Sequence, residues 1–285
     1  MNRPLVSVDW LSEHLHEKNV RIVDASWHMP ATERDAHDEY RNQHIPGACF
    51  FDIDKLSAPS TLPHMMPAAH AFANDASKLG LSTDDHIVVY DTHGLFSAAR
   101  VWWMLRFFGA RQVCILDGGL PAWIRAGLPL ESGEGTAQVG HFEACEGHGR
   151  VAVAADVLRL SEQLVHNGSA SNAMILDARG AARFTGDEQE ARPGLRSGHI
   201  PASKSLPFTQ LLDQGYLKSD EQLRSLFESC QVKSDSYIVT TCGSGVTAAI
   251  IVLALHCVGV HNVSLYDGSW TEWGGLEDMP VATGV

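Results

Sequence analysis

The stretch YIVTTCGSGVTAA, residues 237–249, runs from a β-branched segment through a cysteine and two glycines into a run of small residues. It reads as a strand whose carboxyl end turns into the N-terminus of a helix. In an α/β domain that junction is a usual place for a site. Backbone N–H groups there lack helical partners, and Gly243 and Gly245 let the chain curl without Cβ obstruction. Such a nest binds anions and depresses a thiol pKa. Two readings of Cys242 follow. It is either a core thiol at a tight turn, with glycines serving geometry alone, or a nucleophile cradled by N–H groups. The position at a strand end favours the second.

Working outward, the same pattern occurs earlier in the chain. RIVDAS (21–26), HIPGA (44–48), HIVVYD (86–91) and VCILDGGLPAW (113–123) answer MILDAR (174–179), HIPAS (199–203), YIVTTC (237–242) and VSLYDGSWTEW (263–273). The pairs Asp24/Asp177, His44/His199, Asp91/Cys242, Asp117/Asp267 and Trp123/Trp273 are all 150–155 residues apart and in the same order. A duplicated domain of roughly 120–140 residues explains one offset for five markers, and a chain of this length accommodates two such domains.

Within each half, short apolar runs ending in Asp or Cys have the character of buried parallel strands. Helical patterns lie between them: SVDWLSEHL with a Ser or Asp cap, AFANDASKLG, FSAARVWWMLRFFG, SDEQLRSLFESC and VTAAIIVLALHCVG. The expected architecture is therefore α/β, used twice. Each domain has a central, mostly parallel sheet flanked by helices. The Gly-rich polar stretch near 131–150 marks the boundary, giving a first domain over 1–135, a solvent-exposed linker over 136–150 and a second domain over 151–285. KLSAPSTLPHMMPAA (55–69) has no period and three prolines, so it is either disordered or functional.

The net charge of −13 disfavours a nucleic-acid backbone binder. A small anion would need specific arginines. The six cysteines include no C-x-x-C pair, and a chain of 285 residues does not need a disulfide scaffold. Cys49, Cys114 and Cys257 fit small buried hydrophobes. No uncharged apolar run approaches 18 residues, and the start, MNRPLVSVDWLSEHL, lacks a signal-peptide core. The expectation is a soluble cytoplasmic protein.

Cysteine chemistry at 242 leaves several options. A phosphatase loop, Cys-x5-Arg, is missing its arginine, because Ala248 stands there. Acyl transfer needs a histidine brought in from elsewhere. In the first copy Asp91 replaces the cysteine, and a carboxylate cannot carry a persulfide. That copy is expected to keep the fold, with Asp91 capping its helix, and to wall a cleft between the halves.

Over nearly its whole length the chain resembles the tandem-domain rhodanese family, and within it the 3-mercaptopyruvate sulfurtransferases. The resemblance rests on CGSGVTAA together with HIPGACFFDIDKLS (44–57), LFSAARVWWMLRFFG (95–109), LDGGLPAW (116–123), ARFTGDEQEARPGLRSGHIP (182–201) and LYDGSWTEWG (265–274). It implies two rhodanese-like domains and Cys242 as sulfur-accepting nucleophile. Arg183 and Arg192 become the clamp on the carboxylate and carbonyl of the donor. Ser244, His64 and Asp54 become a proton-handling triad. Gly243, Gly245, Val246 and Thr247 complete the substrate-binding loop. No metal and no organic cofactor are required. The donor implied is 3-mercaptopyruvate, since thiosulfate-type relatives carry basic residues, as in CRKGVTA, where Gly243 and Ser244 stand. Cyanide, a small thiol or reduced thioredoxin would accept the sulfur. Thiosulfate:cyanide transfer and a persulfide relay without turnover are the alternatives. HIPASKSLPF (199–208) departs from the family pattern at Ala202 and Lys204, the latter expected at the site rim or in solvent.

The remaining residues have structural expectations. His44 and His199 recur in both copies, which fits a turn hydrogen bond. His86, His93 and His141 have no metal-ligand spacing. Asp117 and Asp267 are read as caps or turn residues. Trp102, Trp103, Trp123, Trp270 and Trp273 are read as packing. Arg179 belongs with Asp177 at a strand end, and Arg196 stands behind the arginine pair.

Overall fold

The computed structural model describes residues 4–135, 138–145, 149–167 and 171–284. The first half contains β1 (Leu5–Val6), α1 (Val8–His14), β2 (Val20–Asp24), α2 (Ala36–Asn42), β3 (Ala48–Phe50), α3 (Ala69–Lys78), β4 (His86–Tyr90), α4 (Ala98–Phe107), β5 (Gln112–Leu116) and α5 (Gly119–Arg125). The second contains β6 (Val151–Ala152), α6 (Ala154–Asn167), β7 (Ala173–Asp177), α7 (Ala181–Thr185), β8 (Lys204–Ser205), a hairpin of β9 (Leu212–Asp213) and β10 (Tyr216–Leu217), α8 (Asp220–Ser229), β11 (Tyr237–Thr241), α9 (Ala248–Cys257), β12 (Val263–Tyr266) and α10 (Ser269–Trp273). The local signals act as expected. Ser7 accepts the Trp10 N–H at 3.1 Å to start α1, and Ser219 with Gln222 forms a capping box on α8.

Both halves form a five-stranded parallel sheet with the same order, β1-β5-β4-β2-β3 and β6-β12-β11-β7-β8. In each sheet the central pair aligns five residues, Asp24 opposite Tyr90 and Asp177 opposite Thr241. The matched histidines are structural in both copies. His44 Nδ1 lies 2.7 Å from the Tyr40 carbonyl and His199 Nδ1 2.8 Å from that of Phe184. Each bridges to a late segment of its own domain, at Glu131 and Ala282.

The outer faces of the two sheets have separate cores, one around Trp123 and one around Trp270 and Trp273. The inner faces share a single apolar cluster running from Val23 and Phe108 to Ile251 and Leu265. Helices α4 and α9 lie at its centre. Their sequences are apolar on almost every face, as expected of helices enclosed on all sides. The seam between domains is thus a hydrophobic core, and it fixes the two strand-end loops that precede α4 and α9. Among the described residues no helix is long and apolar enough to cross a membrane.

The linker is mostly exposed, as expected, but it is docked and not a free tether. Residues 136–137 and 146–148 lie outside the described residues. Over 138–145 the chain packs on the first domain: Phe142 is buried, its N–H donates to Ser77 Oγ, and the Cys145 N–H donates to the Phe108 carbonyl. One aromatic residue in a polar stretch is enough to anchor it, because burying a phenyl ring contributes about 2–3 kcal/mol.

Candidate active site

Cys242 follows β11 directly and its side chain opens into a small cavity of about 90 Å³. The cavity is also lined by Gly243, Ser244, Val246, Thr247, Arg183, Arg192 and the aromatic rings of Trp27, Phe96 and Phe208. The residue is only 2% exposed, so the thiol meets the cavity and not open solvent, contrary to the accessible position expected of a nucleophile on a loop. The Cys242 N–H donates to Ser269 Oγ at 3.3 Å and its carbonyl accepts from Trp270 N at 2.9 Å. The N–H groups of residues 243–248 have no acceptor among the described residues. They form the nest read from the glycines, with its donors open to an anion. Gly245 is not on the cavity wall. It lies behind the loop at φ +77°, where a Cβ would come within 3.1 Å of Arg100 Nη1.

The two predicted arginines line this cavity in different ways. Arg183 Nη2 donates to Glu190, which also accepts from Arg179 Nη1 at 2.7 Å; Arg179 in turn binds Asp177 at 2.7 Å. This buried chain of alternating charge fixes Arg183, and Asp177–Arg179 secures the strand end as expected. Arg192 has no hydrogen-bond partner among the described residues. Burial pulls its guanidinium below the ordinary value, while the neighbouring Cys242 and Asp54 act in the opposite direction. One arginine is held in place and the other leaves its fork free for a ligand carboxylate. Arg196 does not support the pair. Its guanidinium donates to the carbonyls of Trp273, Gly274, Leu276 and Met279, bracing the C-terminal segment.

His64 comes from the prolines-rich loop of the first domain and crosses to the second. Its Nδ1 lies 3.0 Å from Ser244 Oγ, and its Nε2 lies 2.9 Å from Asp54 Oδ1. The three residues named from the sequence are therefore brought together. Hydrogen bonding to His64 holds the Asp54 carboxyl below its usual value, against partial burial. The long loop at 55–69 is thus ordered and carries a site residue.

Other residues at the site gave less notice. Trp27 Nε1 donates to Asp54 Oδ2 at 3.0 Å and its ring stands edge-on to His64; nothing periodic in SWHMP marks it. Ser269, which holds the Cys242 N–H, also donates to the Tyr266 carbonyl at 2.8 Å. Its only signal is that the repeat has Gly119 in its place. Asp117 and Asp267 are not local caps. Asp267 Oδ2 accepts from Met66 N at 2.7 Å, and Asp117 Oδ1 from Leu217 N at 3.2 Å. Each domain therefore uses its last-strand aspartate to hold a segment of the other. Their shared Asp-Gly step resembles a turn, and no sequence period reports a partner 100 or 201 residues away.

Lys204 is remote from this chemistry, donating to the Cys230 carbonyl and Gln231 Oε1 at 2.8 Å each. A larger cavity of about 480 Å³ lies at the C-terminal ends of α4 and α9, between Trp102, Arg106 and His256, and among the described residues no cysteine, serine or threonine lines it. Among the described residues no cluster of His, Cys, Asp and Glu is arranged to hold a metal ion.

The model of the rhodanese-like domain matches residues 7–126 and again 160–276. The chain is 46% identical over 278 residues to the 3-mercaptopyruvate sulfurtransferase of Escherichia coli K12, spanning 97% of this chain and 96% of that protein. It is 42% identical over 296 residues to the mitochondrial thiosulfate/3-mercaptopyruvate sulfurtransferase 1 of Arabidopsis thaliana, with 98% and 78% covered. The crystal structure of the Escherichia coli 3-mercaptopyruvate sulfotransferase superposes with a TM-score of 0.85 at 44% identity, covering 94% of this chain and 99% of that one. With two matched domains, one nucleophile loop and kinship across nearly the whole length, the chain belongs to the rhodanese family as a tandem-domain sulfur-transfer enzyme closely related to the 3-mercaptopyruvate sulfurtransferases.

Proposed function

We propose that this enzyme takes sulfur from 3-mercaptopyruvate onto Cys242, releases pyruvate, and passes the sulfur to cyanide or a small thiol, with reduced thioredoxin as a further acceptor. The observation that carries this reading is the pairing of Cys242 with Arg183 and Arg192 in one small cavity, where Arg192 has no protein partner among the described residues. A planar carboxylate beside a ketone matches two guanidinium groups.

In the first half-reaction the Cys242 thiolate attacks the donor sulfur. The S–S bond forms, the S–C bond breaks, and its electron pair passes to C3 as the enolate of pyruvate. Arg183 and Arg192 stabilise the charge that builds on the oxygens. The donor thiol gives up its proton and C3 gains one; the Ser244–His64 pair moves a proton between those positions. In the second half-reaction the acceptor attacks the outer sulfur and Cys242 leaves as thiolate. Between the two, the open N–H groups of the loop hold the persulfide anion.

Thiosulfate is the competing donor. It is a dianion, and Gly243 and Ser244 add no charge beside the cysteine, so we infer a weaker activity with it. A relay protein without turnover would show little turnover with small donors and tight binding to one protein, whereas the enclosed cavity at Cys242 fits a small donor. The test is steady-state turnover with 3-mercaptopyruvate and thiosulfate in parallel, cyanide as acceptor, and Cys242→Ser as control. Mercaptopyruvate should show a kcat/KM at least about 10-fold higher, a discrimination of about 1.4 kcal/mol, abolished in the variant. A thiosulfate preference would overturn the donor assignment, and absence of Cys242-dependent turnover would overturn the mechanism.

A further inference from the structure

We propose that Arg100 and Asp267 are positioning residues for the proton relay: a single ion pair across the domain seam that holds His64 against Ser244. The inference rests on the sulfur-transfer mechanism proposed above.

Arg100 lies on α4 of the first domain with a side chain 0% exposed, and its carboxylate partner is Asp267 of the second, at 2.6 Å. A buried pair of this kind gives up two hydration shells, and well-packed apolar residues often serve stability as well or better. Its location in the core of the seam therefore calls for a reason other than packing. The reason lies in what the pair grips. Arg100 Nη2 donates both to Asp267 Oδ1 and, at 2.7 Å, to the His64 carbonyl. The other oxygen of Asp267 accepts from Met66 N at 2.7 Å. The pair thus makes a bracket for the chain just after the His64 side chain, at its own carbonyl and at the N–H two residues on.

His64 needs such a bracket. Its backbone sits at φ +58°, a region uncommon for residues other than glycine, and one that persists only where the surroundings over-determine it. The internal repeat supplies a control. In the reciprocal latch Asp117 takes the N–H of Leu217, and the residue two positions before it is Gly215, at φ +87°. There the matching position is glycine, which adopts the left-handed region without strain, and its neighbour Gln214, at φ +49°, is held by the short hairpin between β9 and β10. The position matching Arg100 in the second copy, three residues after the helix cap, is Ile250. The copy with a histidine at the left-handed position has the arginine, and the copy with glycine does not.

The two possible donors separate positioning from general support of the fold. Mercaptopyruvate cleavage must deliver a proton to carbon. Thiosulfate cleavage releases sulfite and protonates no carbon, so it does not need the relay. Arg100→Met is expected to lower kcat for mercaptopyruvate about 10²-fold, to leave its KM within about threefold because Arg183 and Arg192 are untouched, and to alter the pH profile of kcat. Thiosulfate turnover should fall by no more than about threefold. Both bonds come from one nitrogen, so Arg100→Lys should restore most of the mercaptopyruvate kcat. Asp267→Asn, closer in shape, should give the same split at about 10-fold and guards against a folding failure of Arg100→Met; melting curves are recorded for all three. Retention of mercaptopyruvate kcat in a folded Arg100→Met, or equal loss with both donors and no recovery in Arg100→Lys, overturns the proposal. A wild-type enzyme inactive on mercaptopyruvate overturns the underlying mechanism and this inference with it, an outcome distinct from the other two.

Discussion

The loops that leave β4 and β11 occupy equivalent places, and they differ in what fills them. In the first, the Asp91 carboxylate accepts from the N–H groups of His93, Phe96 and Ala98 at 2.9, 2.6 and 2.9 Å. The loop supplies its own anion. In the second, which is one residue shorter, Cys242 stands in place of Asp91, and the N–H groups of Ser244 and Ala248, which match His93 and Ala98, have no acceptor among the described residues. The scaffold that makes an anion site is common to both halves; the first has its donors satisfied by a side chain and the second leaves them open to a substrate. Duplication thus left one loop closed by its own carboxylate and one open, and the half with the closed loop also supplies His64.

Exchanging the two side chains tests this most severely. Cys242→Asp should close the second nest as Asp91 closes the first. Turnover should drop by more than about 10⁴-fold, as expected when a covalent nucleophile is lost, while urea unfolding shows stability equal to or above wild type. Asp91→Cys should be the reverse in stability without gaining activity. It leaves three N–H groups without their charged acceptor, at a cost of about 3–5 kcal/mol, and mass spectrometry should find no persulfide at residue 91. A destabilised Cys242→Asp would show that the two loops are not equivalent.

The second contrast is in the cations. Arg183 is tied to Glu190 and Arg192 is untied. Arg192→Ala should therefore raise KM for mercaptopyruvate by about 10–100-fold, the loss of one charge-assisted ligand contact of about 1.5–3 kcal/mol, with little change in melting temperature. Arg183→Ala should lower kcat/KM similarly and also lower stability, because it leaves one oxygen of buried Glu190 without its cation. Steady-state kinetics and calorimetry on the pair check this; equal stability losses would mean that Arg192 has a structural partner after all.

A matched pair of aspartates extends the comparison to pH. Asp177 has Arg179, whereas its counterpart Asp24 has Ser26 N–H as a hydrogen-bond donor at 2.9 Å and no ion-pair partner among the described residues. Burial pushes the Asp24 carboxyl from 3.8 up to about 6. Below the ordinary carboxylate value both folded and unfolded chains are protonated and burial of the neutral acid costs little. As pH rises through about 6 the folded chain must also ionise, and that advantage is lost. Relative to Asp24→Asn, the wild type should lose roughly 2–3 kcal/mol of unfolding free energy between about pH 4 and pH 7. Urea midpoints at the two pH values measure it, and parallel behaviour of the two proteins would show that Asp24 titrates as an ordinary carboxylate.

These contrasts also show what the sequence made legible. Strand ends, helix stops and the repeat are local or periodic features, and from them came the two parallel sheets and the Cys242 loop. Arg183, Arg192, His64, Asp54 and Ser244 entered through family resemblance, and they do meet at one site. What stayed hidden depends on which residues face each other across the seam. Arg100 sits in the apolar run AARVWWMLR and gives no sign that its partner is Asp267. Trp27 lies outside any pattern. The linker's polar composition masked the one ring that docks it. Reading the repeat for its mismatches, rather than its matches, would have singled out Ser269, as the departure from the family pattern singled out Ala202.

Those two mismatches give the smallest and sharpest test. At 119/269 and 47/202 the first copy has glycine in the left-handed region, at φ +54° and +76°, and the second has Ser269 at +50° and Ala202 at +60°. Ser269 is compensated, since its hydroxyl accepts the Cys242 N–H and donates to Tyr266. Ala202 has no polar side chain to offset the clash of its Cβ with the backbone, which costs about 1–2 kcal/mol in this region. Ala202→Gly should therefore stabilise the protein by about 1 kcal/mol, after allowing for the greater freedom of glycine in the unfolded chain, and leave turnover unchanged. Ser269→Gly relieves the same strain but removes the bond to Cys242, so it should gain little stability and lose activity. Equal effects of the two substitutions on both urea midpoint and kcat would mean that Ser269 holds the nucleophile no better than a bare turn.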